Sequence, residues 1–228
     1  MKTIICIPGL GGRANLFDGY KSLLPEYNLE IVDLIDWKKT QAEVDELVAR
    51  HADAIILCNC YGSHIALRSI EKMPERVSAL IVVEPFFSQL FFWRHIASPL
   101  NKILVALSRI TDKMGLKRKT FKIVNYGMVE KEPLWKQILL DWEHQSMTDY
   151  LTKLEDITTF KIPENISTKT LLLFSPSGFT PNPKIRKLMQ SFFKQCDIAV
   201  LNNKKHTIMT LASDEIVSNM KNWLEKTN

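Results

Sequence analysis

The segment Leu57-Cys58-Asn59-Cys60-Tyr61-Gly62-Ser63-His64-Ile65-Ala66-Leu67 carries an abrupt change of pattern. Before it runs Ala54–Cys58, a short aliphatic stretch of the kind that forms a buried strand; from Ser63 to Met73 apolar residues recur at helical spacing. Only a few residues, Gly62 among them, separate the two, so the chain must turn sharply from strand into helix. Such a turn strains its apex and crowds the positions on either side, which must then be small. Cys58 and Gly62 stand two residues to either side of Cys60, and Cys60 is therefore the expected apex. A frame centred on Ser63 puts Tyr61 and Ile65 in the crowded places, sizes that the turn is not expected to tolerate.

Outward from this turn, similar apolar runs occur at Thr3–Ile7, Leu29–Leu34, Ala79–Val83, Thr170–Phe174 and Asp197–Leu201. Helical patterns at Phe17–Leu24, Gln41–Arg50 and Ser63–Met73 lie between the first four, which predicts a parallel, doubly wound α/β sheet with right-handed crossovers. About 80 residues separate Glu84 from the Thr170 strand, far beyond an ordinary connection, so residues 85–165 are expected to be an inserted helical lid on a core of 1–84 and 166–228. The insertion opens with Phe86, Phe87, Phe91, Phe92 and Trp93 and continues with Leu100, Ile103, Leu104, Leu107 and Ile110, then Leu134, Ile138, Trp142 and Leu151. Those apolar residues serve either to pack the lid on the body or to wall an apolar pocket. Arg94, His95, Asn101 and Lys102 interrupt the run before it is long enough to span a membrane.

With 228 residues the chain is expected to form one soluble α/β unit, and its start, Met-Lys followed directly by a strand, lacks the pattern of a signal peptide. A cytoplasmic protein is the expectation. Cys6, Cys58, Cys60 and Cys196 are too unevenly placed for a disulfide framework or a zinc site, so neither metal nor cofactor is expected. Much of the net charge of +5 comes from Lys113, Lys117, Arg118, Lys119 and Lys122. Without interleaved aromatics or a recognition helix this does not read as nucleic-acid binding. It reads as a solvated loop, with docking of an acidic carrier protein through Lys117, Arg118 and Lys119 as the alternative.

The turn at Cys58-Asn59-Cys60-Tyr61-Gly62 resembles the nucleophile elbow of the α/β-hydrolases, written G-x-S-x-G, with cysteine in place of serine. Ile7-Pro8-Gly9-Leu10-Gly11-Gly12 resembles the family's glycine-bearing loop, with Pro8 where a histidine is common. By this correspondence the sheet lacks the family's first two strands, and the lid precedes the penultimate strand. The resemblance implies an oxyanion hole from the Leu10 and Tyr61 amides, and substrate contacts at Gly9, Phe86, Phe87 and Trp93. Leu201-Asn202-Asn203-Lys204-Lys205-His206 resembles the catalytic-histidine loop, which implies His206 as the base. No acid occupies the loop Ser175–Pro183; Glu84, at a strand end where haloalkane dehalogenases carry theirs, is the expected acid, with Asn182 or no third residue as alternatives.

A Cys60–His206–Glu84 triad implies two-step acyl transfer through an acyl-cysteine. Because thioester exchange is nearly balanced in energy, the expected substrate is acyl-CoA or an acyl-carrier protein, or an activated ester. Transfer to an acceptor other than water, and noncatalytic binding on a hydrolase scaffold, are the competing expectations.

Overall fold

Runs of β-branched and aliphatic residues form the strands β1 (Thr3–Ile7), β2 (Asn28–Ile31), β3 (Ala54–Asn59), β4 (Val77–Val83), β5 (Lys169–Phe174) and β6 (Cys196–Val200). They are joined by helices α1 (Asp18–Leu23), α2 (Trp37–Arg50), α3 (Gly62–Lys72), α4 (Met147–Thr159), α5 (Pro183–Gln190) and α6 (Ser213–Thr227). The computed structural model describes residues 1–10, 12, 14–34, 36–87, 147–176, 182–202, 209 and 213–227. All strands pair in parallel in one six-stranded sheet of order β2-β1-β3-β4-β5-β6, with Ile5 opposite Ile56, Leu57 opposite Ile81 and Val82 opposite Leu172. The central strands are buried almost throughout, as their unbroken apolar runs require when helices cover both faces.

Alternation along the strands divides the core. Ile4, Cys6, Ile55, Leu57, Ile81, Val83, Leu171 and Leu173 meet Phe17, Tyr20 and Leu24 around α1 and Ile216, Val217, Met220, Trp223 and Leu224 of α6. Each large aliphatic side chain so buried contributes about 1.5–3 kcal/mol. On the other face α2 and α3 pack together, joined by Asp45, which accepts from Ser69 Oγ at 2.6 Å and pairs with Lys72 at 2.5 Å. Asp36 caps α2 by accepting from the Lys38 amide at 3.0 Å. Asn182 caps α5 in the same way, accepting from the Lys184 amide at 2.9 Å, with Pro183 in the first turn. The sequence reading left α5 out; its signal was the Asn182-Pro183 pair followed by Ile185 and Met189, four residues apart.

The strand order places the site. From β1 the chain moves outward to β2, crosses back to β3 on the other side of β1, and continues through β4 and β5 to β6. Connections leave β1 and β3 in opposite directions, which opens a crevice at their C-terminal ends, where parallel sheets hold their ligands. Gly9 follows one of those strands and Cys60 the other.

Two compact units are present. One comprises Met1–Gly9, Arg13–Phe87 and Ile162–Asn228 and holds the sheet; the other comprises Leu10–Gly12 and Ser88–Lys161 and includes α4. The long insertion thus falls between β4 and β5, before the penultimate strand. The expected helical residues between Leu100 and Trp142 lie outside the described residues. Among the described residues no helix is long and apolar enough to cross a membrane.

Candidate active site

Cys60 lies at the apex of the turn between β3 and α3 with φ of +45°, in the left-handed region that a cysteine seldom adopts. Its backbone is held from both sides: its amide donates to Val83 O of β4 at 3.0 Å, and its carbonyl accepts from the Ser63 amide at 3.1 Å and from Ser63 Oγ at 2.6 Å. Those bonds sustain the strained conformation. Gly62 is indispensable to the packing, since a Cβ there would lie 2.5 Å from Pro8 O and 2.7 Å from Ile7 O. Gly9, similarly, leaves no space for a Cβ against the Asn59 side-chain oxygen and would bring one within 3.3 Å of Cys60 Cβ.

Glu84 closes the neighbouring strand and repeats the device. Its φ is +51°, and its amide donates to Leu173 O at 2.8 Å. The side chain is 2% exposed, and Oε1 accepts a short hydrogen bond from the Ser175 amide. On the far side of Ser175, its carbonyl accepts from Arg186 Nη2 at 3.3 Å, and the Arg186 guanidinium lies 4.9 Å from the centre of the Phe174 ring. Cys60 and Glu84 therefore stand at the ends of adjacent strands, bonded through the β3–β4 ladder.

The other expected residues divide. Tyr61 is fully buried and meets the His64 ring edge-on at 5.4 Å. His64 Nε2 bonds the Phe86 carbonyl at 3.0 Å, and Phe87 stacks on His64 at 6.4 Å and tilts against Phe193 at 6.5 Å. Phe87 is thus core; Phe86 is half-buried. Leu10 belongs to the second unit. His206, Trp93, Lys117, Arg118 and Lys119 lie outside the described residues. Asn182, the alternative third residue, is engaged as the cap of α5. Burial pushes the Cys6 and Cys58 thiols far above their ordinary range and raises Cys196 to about 12, so these three stay protonated and unreactive.

A histidine–carboxylate pair absent from the sequence reading is formed by His51 and Glu30, with Nε2 to Oε1 at 3.8 Å. Its Nδ1 faces Thr3 Oγ1 at 3.3 Å, at the start of β1. That is the N-terminal edge of the sheet, a strand's length (about 20 Å for six residues) from Ser63.

No family model and no curated protein matches the chain. Solved structures do. MenH from S. aureus matches with a TM-score of 0.75 at 14% identity, covering 99% of this chain and 94% of that one. An epoxide hydrolase from Bacillus megaterium matches with a TM-score of 0.71 at 12% identity over 99% and 94%. An N-formylmaleamic acid deformylase from Pseudomonas putida, in a serine-to-alanine form, matches at 0.62 and 14% over 96% and 90%. The fold is that of the α/β-hydrolases.

The cysteine-nucleophile, thioesterase-like reading is corrected at this point. None of the three structures is described as a thioesterase or a cysteine enzyme, and one is described by the replacement of a serine. Ser63 lies in the first turn of α3, three residues past the Cys60 apex, and its hydroxyl donates to the Cys60 carbonyl at 2.6 Å. The Cys–His–Glu enzyme, its acyl-cysteine intermediate, and the thioester hydrolase or transferase built on them are withdrawn.

Proposed function

We propose that this chain is a hydrolase that cleaves a small carboxylic ester by serine-type chemistry at the C-terminal edge of its sheet. The observation that carries this reading is the elbow: a left-handed apex at Cys60, with Gly9 and Gly62 in places where no side chain fits. Strain concentrated at one strand-to-helix turn, beside a crevice at a topological switch point, is how a fold presents a reacting group.

The elbow hydroxyl, Ser63, takes the attacking role in this proposal, Glu84 is the acid, and His206 the base implied by its loop. The base accepts the Ser63 proton as the hydroxyl oxygen bonds to the ester carbonyl carbon, then returns it to the departing alcohol. Water repeats the cycle, releasing the acid and restoring Ser63. The Tyr61 amide, at the start of α3, is a donor for the oxyanion. Among ester- and epoxide-like substrates the serine selects the ester. Opening an epoxide would leave a stable ether on Ser63, which the same base and water cannot cleave. The insertion, 85–165, is proposed as the lid.

The test is turnover of small p-nitrophenyl esters and of styrene oxide, combined with a fluorophosphonate label located by peptide mass. Ester turnover, with the label on Ser63 and activity lost in Ser63→Ala but not in Cys60→Ala, is the expected result. A label on no serine, or activity lost in Cys60→Ala alone, overturns the assignment.

A further inference from the structure

The loop after β5 holds an arrangement that none of the roles above uses. Ser175 is fully buried and clamped on both sides: its amide donates to Glu84 Oε1 and its carbonyl accepts from Arg186. Arg186 is itself 9% exposed and reaches Ser175 from α5, with its guanidinium against the Phe174 ring. Bringing a guanidinium into the interior is costly, and here it fixes the two residues at which β5 ends. Ser175 Oγ, buried and without a hydrogen-bond partner among the described residues, does not share in the clamp. The backbone of Ser175 therefore transmits whatever Arg186 imposes.

We propose that Arg186 is a positioning residue for the site: by holding the Ser175 carbonyl and the Phe174 ring it fixes the Ser175 amide, which in turn orients the Glu84 carboxylate. Its kinetic consequence rests on the ester-hydrolase reading; its structural consequence does not. A firmly placed amide favours the ionised carboxylate, so loosening the clamp raises the pH at which Glu84 titrates. A weakly held Glu84 leaves the base less well oriented, which slows the chemical step without changing how substrate binds.

The experiment uses the full chain with carbon-13 in the glutamate carboxyls, Glu84 being identified by its loss in Glu84→Gln. In Arg186→Met the Glu84 midpoint is expected to rise by about one pH unit, with kcat for the ester down about tenfold and KM within twofold. Arg186→Lys, which keeps the charge but not the planar fork, is expected to give about half the midpoint shift and to recover most of kcat. If Arg186→Met does not fold, Arg186→Lys decides by the same measurement. A Glu84 midpoint unchanged in the folded variants, whatever happens to Tm, overturns the proposal. If the wild-type chain hydrolyses no ester, the hydrolase reading fails separately, and the carboxyl titration alone decides the clamp.

Discussion

The two edges of the sheet use the same backbone conformation for different purposes. At the N-terminal edge, left-handed φ occurs at Asp53 (+56°), just before β3, and at Asn165 (+59°), shortly before β5. Aspartate and asparagine enter that region at little cost, so these are ordinary turns. At the C-terminal edge the left-handed residues are Cys60 (+45°) and Glu84 (+51°), neither of which favours it, and they sit on adjacent strands. Positive φ by itself marks a turn; positive φ on residues unsuited to it marks a site. The polar groups at the two edges differ likewise. The half-exposed His51–Glu30 pair lies near solvent, whereas Glu84 is buried and bonded to backbone.

The largest expected effect tests whether that division is functional. Glu84→Gln keeps the shape of the side chain but removes the charge, and ester turnover should fall on the order of ten-thousandfold, as when a serine triad loses its acid. His51→Gln and Glu30→Gln at the other edge should leave kcat/KM within about twofold and stability within about 1 kcal/mol, the usual worth of a partly exposed pair. Steady-state kinetics of the three variants checks both. A loss confined to the His51 and Glu30 variants would move the chemistry to the N-terminal edge.

Next in size is the steric contrast between two helical glycines. Gly62→Ala drives a Cβ against the Pro8 and Ile7 carbonyls, backbone atoms with nowhere to move, and should cost about 3 kcal/mol in urea unfolding. Gly19, in α1, has only Ser213 Oγ near such a Cβ, at 3.7 Å, so Gly19→Ala should be neutral or stabilise by up to about 1 kcal/mol. Equal effects would mean that the elbow backbone relaxes and that Gly62 does not define it.

Much of the fold was legible because period-2 and period-3.6 patterns are local. The runs at Thr3–Ile7, Ala54–Cys58 and Ala79–Val83 became strands within two residues of the expected ends. The strand expected at Leu29–Leu34 came out at Asn28–Ile31, since an edge strand ends where pairing with β1 ends, not where hydrophobicity does. The chemistry was less legible. The apex at Cys60 was legible from Cys58 and Gly62 on either side of it, whereas the bond from the Ser63 hydroxyl to the Cys60 carbonyl was not. The His51–Glu30 pair joins residues whose proximity arises from strand order, and the Arg186–Ser175 bond reaches back from α5 to the end of β5, so no periodic pattern announces either.

The smallest effect bears most directly on the comparison between the edges, because it measures strain itself. Cys60→Gly releases a conformation that costs a non-glycine residue about 1–3 kcal/mol. Against this stand the extra freedom glycine brings to the unfolded chain and the loss of a half-buried thiol, together about 1 kcal/mol. The net expectation is a gain on the order of 1 kcal/mol in the free energy of unfolding, read from denaturant titration. Asp53→Gly releases almost no strain, since aspartate already tolerates φ of +56°, so only the entropic loss of about 0.5 kcal/mol remains. The two variants should therefore shift stability in opposite directions although the backbone angles they relieve are nearly equal. If both lose stability alike, Cys60 is no more strained than Asp53, and its angle ceases to mark the C-terminal edge as the place where the fold holds a reacting group.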